Sequence, residues 1–173
     1  MEDGSVVLKF PIRNDVRNAK NGTRSLTKAE DVVFTTPNAG GGHFPFMPVG
    51  FPSGLCRIMF VKLSRDPYTA PYYMGTDAEQ DVEEWSLDPD GSYGNPTGRK
   101  VRDGGYGGHA SSSSTTLGCL KFLLTENVVT VAEKALQILV ANGYRTKEEI
   151  LAGKWPSAEE IAKGTFPMIE VIG

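Results

Sequence analysis

Hydrophobic periodicity changes character near residue 125, and that change limits the fold more than any other feature of the chain. Upstream, apolar residues come in short runs bounded by Gly, Pro and Asn. These are Ser5–Phe10 (SVVLKF), Val32–Thr36 (VVFTT), Leu55–Leu63 (LCRIMFVKL) and a weaker VEEWSL within Asp81–Leu87. Runs of this length, rich in β-branched and aromatic residues, predict strands, with Leu55–Leu63 the central one. Arg65–Met74 and the glycine-rich Asp88–Gly108, which carries Arg99, Lys100 and Arg102, read as loops. Downstream, Val128, Val131, Ala132, Ala135, Leu136 and Leu139 recur at helical spacing after a capping Thr125, and Asn142-Gly143 closes the helix. Thr146-Lys147-Glu148-Glu149 and Ser157-Ala158-Glu159-Glu160 are capping boxes and predict two short helices, the second ending at Gly164. Phe166–Ile172 (FPMIEVI) returns as a strand. Strands first and helices later predict an α+β fold, since an alternating α/β pattern is missing.

The length of 173 residues suits a single domain, 1–173, large enough to bury a core without staples. Twenty glycines and eleven prolines predict many turns and a site built from loops. A net charge of -3, with no basic run, argues against nucleic acid as a partner. Two cysteines, Cys56 and Cys119, make no disulfide framework. The first residues carry no positive region followed by an apolar stretch, so a conventional export signal is not expected. Synthesis in the cytoplasm, with any export by a specialised route, is the corresponding expectation, and no apolar stretch is long enough for a membrane span.

The segment Gly107-Gly108-His109 … Thr116-Leu117-Gly118-Cys119-Leu120-Lys121 sets an imidazole and a thiol ten residues apart, each preceded by glycine. A free thiol ionises near pH 8.5, so a nucleophilic cysteine needs either a depressed pKa or a base beside it. Cys119 is the candidate nucleophile and His109 its general base. The amides at Gly118 and Cys119 are candidate donors to an oxyanion. Ser112 and Thr116 are candidates for positioning substrate, Lys121 for binding a carboxylate, and Tyr73 and Tyr106 for lining a groove. Each has a plainer reading: a buried thiol, a loop histidine, a tight turn, solvated hydroxyls, a surface lysine and core aromatics.

Two motifs resemble the L,D-transpeptidase catalytic domain, the cysteine enzymes of peptidoglycan. Phe51-Pro52-Ser53-Gly54-Leu55-Cys56-Arg57-Ile58 matches the family's Pro-x-Gly turn into a strand. His109 followed by Thr116-Leu117-Gly118-Cys119 matches its His and Ser/Thr-x-Gly-Cys signature. Leu117 stands where the common branch has a second histidine, and Lys121 where it has an arginine. The compact form is similar to L,D-transpeptidase-like effectors of type VI secretion systems. The likeness spans roughly residues 32–124, with 125–173 as a helical and strand extension.

This resemblance implies a β-rich core of mixed sheets or a sandwich, and acyl transfer on tetrapeptide stems through a thioester, with neither metal nor organic cofactor. It also implies action in the periplasm or cell wall, peptidoglycan stem peptides as partners and, for an effector, an immunity protein or secretion component. Two other readings stay open. One is a catalytically inactive member of the fold that binds cell-wall peptide or a protein. The other is a structural zinc domain using Cys56, Cys119, His43 and His109, although the C-x-x-C knuckle of common zinc sites is missing.

Overall fold

The structure, a computed structural model, describes residues 12–13, 51–67, 69–87, 93–110 and 119–171. The expected strands at Ser5–Phe10 and Val32–Thr36 lie outside the described residues, as do His43, Ser112, Thr116 and Gly118. The described chain is mixed α+β. One curled, mixed sheet has six strands in the order β1 (Ile12–Arg13), β7 (Leu120–Phe122), β6 (Gly107–Ala110), β3 (Tyr72–Thr76), β2 (Gly54–Leu63), β8 (Met168–Val171). A second sheet is the antiparallel ribbon of β4 (Gln80–Leu87) and β5 (Tyr93–Asp103). Three helices follow β7: α1 (Thr125–Ala141), α2 (Lys147–Leu151) and α3 (Ala158–Lys163).

β2 begins at Gly54, whose φ of 106° is a conformation that a residue with a Cβ rarely adopts. That is what the Pro-Ser-Gly turn supplies. The first half of β2, Gly54–Arg57, pairs with β8, and its second half, Ile58–Leu63, pairs with β3. A register shift between Ile58 and Phe60 separates the halves and curls the sheet there. Ile58, Met59 and Val61 are almost completely buried, as expected of a strand rich in apolar residues on both faces.

One sheet face is the floor for α1. Val61 opposes Met74, Met74 opposes Gly108, and Ala110 opposes Phe122. Val128, Ala132, Ala135, Leu136 and Leu139, one stripe of α1, bury against that face. Burying Val128, Leu136 and Leu139 contributes about 1.5–3 kcal/mol each. The helix starts one residue earlier than its sequence suggests: Leu124 is the N-cap, and no side chain caps it. Its end is as read, with Asn142 at the C-cap and Gly143 at φ 75°.

Thr146 and Glu149 close the expected reciprocal capping box on α2, and Ser157 accepts from the Glu160 amide at the start of α3. Arg145 ties these short helices to the sheet. Its guanidinium donates to the Lys154 carbonyl at 2.5 Å and the Met59 carbonyl at 3.2 Å, and it pairs with Glu160 at 2.9 Å.

Two stretches read as loops are strands. Tyr72–Met74 opens β3, and most of Asp88–Gly108 is β5 and the start of β6. Gly and Pro hide β5, because in a two-stranded ribbon with two register shifts they sit at irregular positions instead of ending the strand. Arg99 there pairs with Glu84 at 2.9 Å, and Arg102 with Glu79 at 3.4 Å and Asp81 at 3.5 Å. These are solvated cross-strand pairs worth little individually.

Candidate active site

The face of the sheet opposite α1 carries the candidate residues. Residues directly opposed on neighbouring strands project to the same face. Lys62 opposes Tyr73, Tyr73 opposes His109, and His109 opposes Lys121, so these four form one row across β2, β3, β6 and β7. The row beside it contains Phe60, Gly75 and Gly107. Cys119 sits immediately before β7, two residues before Lys121, and receives a hydrogen bond from the Gly107 amide. The sheet thus brings His109, Cys119, Lys121 and Tyr73 to one place.

The glycines in that second row are space. A Cβ on Gly75 would run into the Phe60 ring, and one on Gly107 would run into the Tyr73 ring, its hydroxyl and the Met74 carbonyl. The Tyr73 phenol therefore lies across β6 at Gly107. There its hydroxyl forms a hydrogen bond with the Cys119 sulfur and also reaches the Gly105 carbonyl at 3.1 Å. The ring stacks on His109 with centroids 6.1 Å apart and planes 25° apart. On its other side, Phe60 lies at 6.1 Å, and Trp155 meets Phe60 edge-on at 6.1 Å.

His109 is only 7% exposed, and its Nδ1 lies 2.9 Å from the Ala110 carbonyl oxygen. A carbonyl can only accept, so that bond requires the proton on Nδ1. In the neutral ring, Nε2 is then the basic nitrogen. The main chain of the next residue thus orients the imidazole, a role that no side-chain motif in the sequence announces.

Burial pushes the Cys119 thiol above its ordinary pKa, while the Gly107 amide and the Tyr73 hydroxyl, by donating to the sulfur, hold it back. The residue retains some exposure, yet its thiol is packed deeply enough for burial to dominate. At neutral pH the sulfur is consequently a thiol, and attack requires a base that removes its proton. Burial also raises the Tyr73 phenol, and the adjacent sulfur adds to the effect. Tyr73 therefore remains a proton donor across the physiological range.

Tyr106 and Lys121 are both buried. Tyr106 is fully buried, with its ring edge-on to Phe51 at 5.9 Å, so it packs behind the site and offers no groove lining. Burial raises its phenol to about 12. Lys121 is 7% exposed and belongs to the row with His109, not to a solvent-facing surface. Cys56 is buried in the second core cluster with Phe51, Tyr106 and Leu120, and its thiol is pushed up to about 11, chiefly by burial. Cys56 and Cys119 form no disulfide with each other. Among the described residues, no group of three or more His, Cys, Asp or Glu gathers where it would hold a metal.

Sequence reasoning missed Gly107 as donor and cradle, the Ala110 carbonyl as orienter, and Tyr73 as the partner of the thiol. The available signal was glycine inside strands, which marks places where another group approaches closely. No protein-family model matches the chain, and no curated protein or solved structure is significantly similar to it. No helix among the described residues is long and apolar enough to cross a membrane.

Proposed function

We propose that the protein is a cysteine acyl-transfer enzyme of the L,D-transpeptidase type, acting on peptidoglycan tetrapeptide stems. One observation carries the reading: the Tyr73 ring that stacks on His109 also holds the Cys119 sulfur through its hydroxyl. A thiol just ahead of β7, a base of defined tautomer on β6 and a neutral donor on β3 are thereby held together by the sheet, the preorganisation that nucleophilic catalysis requires.

In this mechanism His109 Nε2 takes the thiol proton as the Cys119 sulfur attacks the carbonyl carbon of the stem's L-centre, in meso-diaminopimelate or its equivalent. The raised thiol pKa makes these two events concurrent, since no thiolate stands ready. The tetrahedral oxyanion is met by main-chain amides at Gly118 and Cys119. It collapses as the imidazolium returns the proton to the departing amine of D-alanine. Water then resolves the thioester to give a shortened stem, or an amine resolves it to give a cross-link or an exchanged D-amino acid. Lys121, in the row with His109, is the candidate to meet the stem's carboxylate.

The core of mixed sheets, with His109 on β6 and Cys119 just ahead of the parallel β7, supports this reading, as does the Pro52-Ser53-Gly54 turn that launches β2. Delivery by a type VI secretion system, with an immunity protein as partner, is the corresponding biological setting.

Hydroxylamine tests the thioester. Incubating protein and tetrapeptide muropeptide with hydroxylamine should yield a stem hydroxamate with wild type and none with Cys119→Ala; equal yields from both would remove the reading's basis.

The competing reading is a non-catalytic peptide binder. It draws on the buried thiol and on Leu117 and Lys121, where the sequence departs from the common signature. Binding of muropeptide with no hydroxamate formed would favour it.

A further inference from the structure

The peptide unit that joins Tyr106 to Gly107 faces two ways. Its N–H, on Gly107, donates to the Cys119 sulfur. Its carbonyl, on Tyr106, accepts twice from Thr76, from the hydroxyl at 2.6 Å and from the main-chain amide at 3.1 Å. A trans peptide unit is planar, with carbonyl and N–H pointing in opposite directions, so holding one end aims the other.

Thr76 is the last residue of β3, on the side of β6 away from β7 and the thiol. The β3–β6 ladder runs from Tyr73 opposite His109 to Gly75 opposite Gly107, and beyond it both strands leave the sheet for the β4–β5 ribbon. The Thr76 hydroxyl therefore adds a bond at the point where the ladder ends. Thr76 is 1% exposed, and its hydroxyl is placed from both directions, donating to the Tyr106 carbonyl and accepting from the Ala78 amide at 3.3 Å. Gly107 has no Cβ to oppose a half-turn of the peptide, which would carry the N–H off the sulfur and set the Tyr106 carbonyl oxygen against it.

We infer that Thr76 is a positioning residue for the thiol: by fixing the Tyr106 carbonyl, it keeps the Gly107 N–H on the Cys119 sulfur. Thr76 belongs to neither sequence motif, and its role concerns the sulfur itself, whatever the substrate. Serine shares the hydroxyl that performs it, and valine lacks it. The loss has a sign. A donating amide favours the thiolate, so weakening that bond makes the thiol harder to ionise. Looser packing acts the other way, because burial is what raises this thiol and exposure would let it fall back. The other groups around the sulfur are the Tyr73 and Tyr106 phenols, with His109 and Lys121 beside them on the sheet, and none of these is altered in the variants.

The test is iodoacetamide alkylation against pH in the full chain, in Thr76→Val and in Thr76→Ser, read at the Cys119 peptide by mass spectrometry so that Cys56 does not enter. A hydrogen bond changes an equilibrium by about threefold to tenfold, so Thr76→Val should raise the midpoint by about half a unit to one unit and slow alkylation at pH 8 at least about threefold. Thr76→Ser should keep the wild-type profile. Thr76→Ala, which cannot overpack, is read in the same way if valine prevents folding, with urea unfolding to show that each chain is folded. The Gly107 amide resonance gives a second readout: its shift should follow the Cys119 titration in wild type and respond less in Thr76→Val. An unchanged or lowered midpoint in Thr76→Val, a serine variant that behaves like the valine one, or a wild-type Gly107 resonance that ignores the titration would each overturn the proposal. Alkylation needs no substrate, so hydroxamate formation is read in parallel. A shifted profile without hydroxamate discards the enzyme and keeps this role of Thr76, while hydroxamate with an unshifted profile does the opposite.

Discussion

The hydroxyl of Tyr73 and the sulfur of Cys119 share a hydrogen bond, made possible because the phenol lies over a glycine of the intervening strand. A phenol donates one proton, and here two acceptors are in reach: the Gly105 carbonyl at 3.1 Å and the sulfur. When the sulfur is a thiol, the carbonyl can hold that proton. When the sulfur ionises, the hydroxyl turns to it.

Removing that donor should make the thiolate harder to form. Tyr73→Phe keeps the ring and its stack on His109 but loses the bond to sulfur. A hydrogen bond to a charged group is worth about 1.5–3 kcal/mol, so the thiol pKa should rise by about one unit or more. Iodoacetamide alkylation of Cys119, followed against pH, should shift to higher pH and slow roughly tenfold at pH 8. An unchanged profile would show that the phenol does not donate to the sulfur.

Gly107→Ala should be costly. Its Cβ would meet the Tyr73 ring and the backbone oxygen of Met74, and the backbone cannot swing aside. Overpacking of this kind costs about 1–3 kcal/mol. Gly108→Ala is the control, because there the nearest atom is a Phe122 ring carbon at 3.3 Å that can give slightly. Urea unfolding should rank Gly107→Ala well below Gly108→Ala, and equal midpoints would contradict the cradle.

Arg145 makes a different prediction, about the framework. Its side chain is 4% exposed and pairs with Glu160 while donating to two carbonyls, one of them on β2. Arg145→Met leaves that carboxylate and the carbonyls without their donor, a loss of about 3–5 kcal/mol for a buried pair. Unfolding in urea measures it, and a change under about 1 kcal/mol would show that the clamp is not structural.

High pH should loosen the fold. Cys56 is raised from 9.0 to about 11 and Tyr106 from 10.0 to about 12, both chiefly by burial, and Cys119 and Tyr73 move the same way. Between each ordinary value and its raised one, the unfolded chain has released the proton and the folded chain still holds it. Stability therefore falls as pH climbs from 9 toward 12 and is unaffected by these groups below about 9. Cys56→Ala should flatten the part of that decline between 9 and 11 by roughly 2–3 kcal/mol, net of its loss of packing at neutral pH. A wild-type curve level up to pH 11 would be inconsistent with these buried acids.

The helices and β2 were legible because their signals are local. Spacing in α1, the Thr146 box, Gly143 and the Pro-Ser-Gly turn each act within a few residues. β3 and β5 were hidden because Tyr72–Met74 and the glycine-rich 93–103 become strands only through partners far along the chain. His109 and Cys119 were visible as residue types at a spacing. What orients them was not: the Ala110 carbonyl and the Gly107 amide belong to the main chain, and Tyr73 arrives by strand register from thirty-six positions upstream of His109.

The most direct test of Cys119 as an acyl-transfer nucleophile is product analysis on purified disaccharide-tetrapeptide. Wild type and Cys56→Ala should release D-alanine, or exchange it when another D-amino acid is supplied, while Cys119→Ala gives none and His109→Gln at most about one hundredth of the rate. Release by Cys119→Ala at the wild-type rate, or an unchanged substrate with every variant and with wild type, would contradict the account.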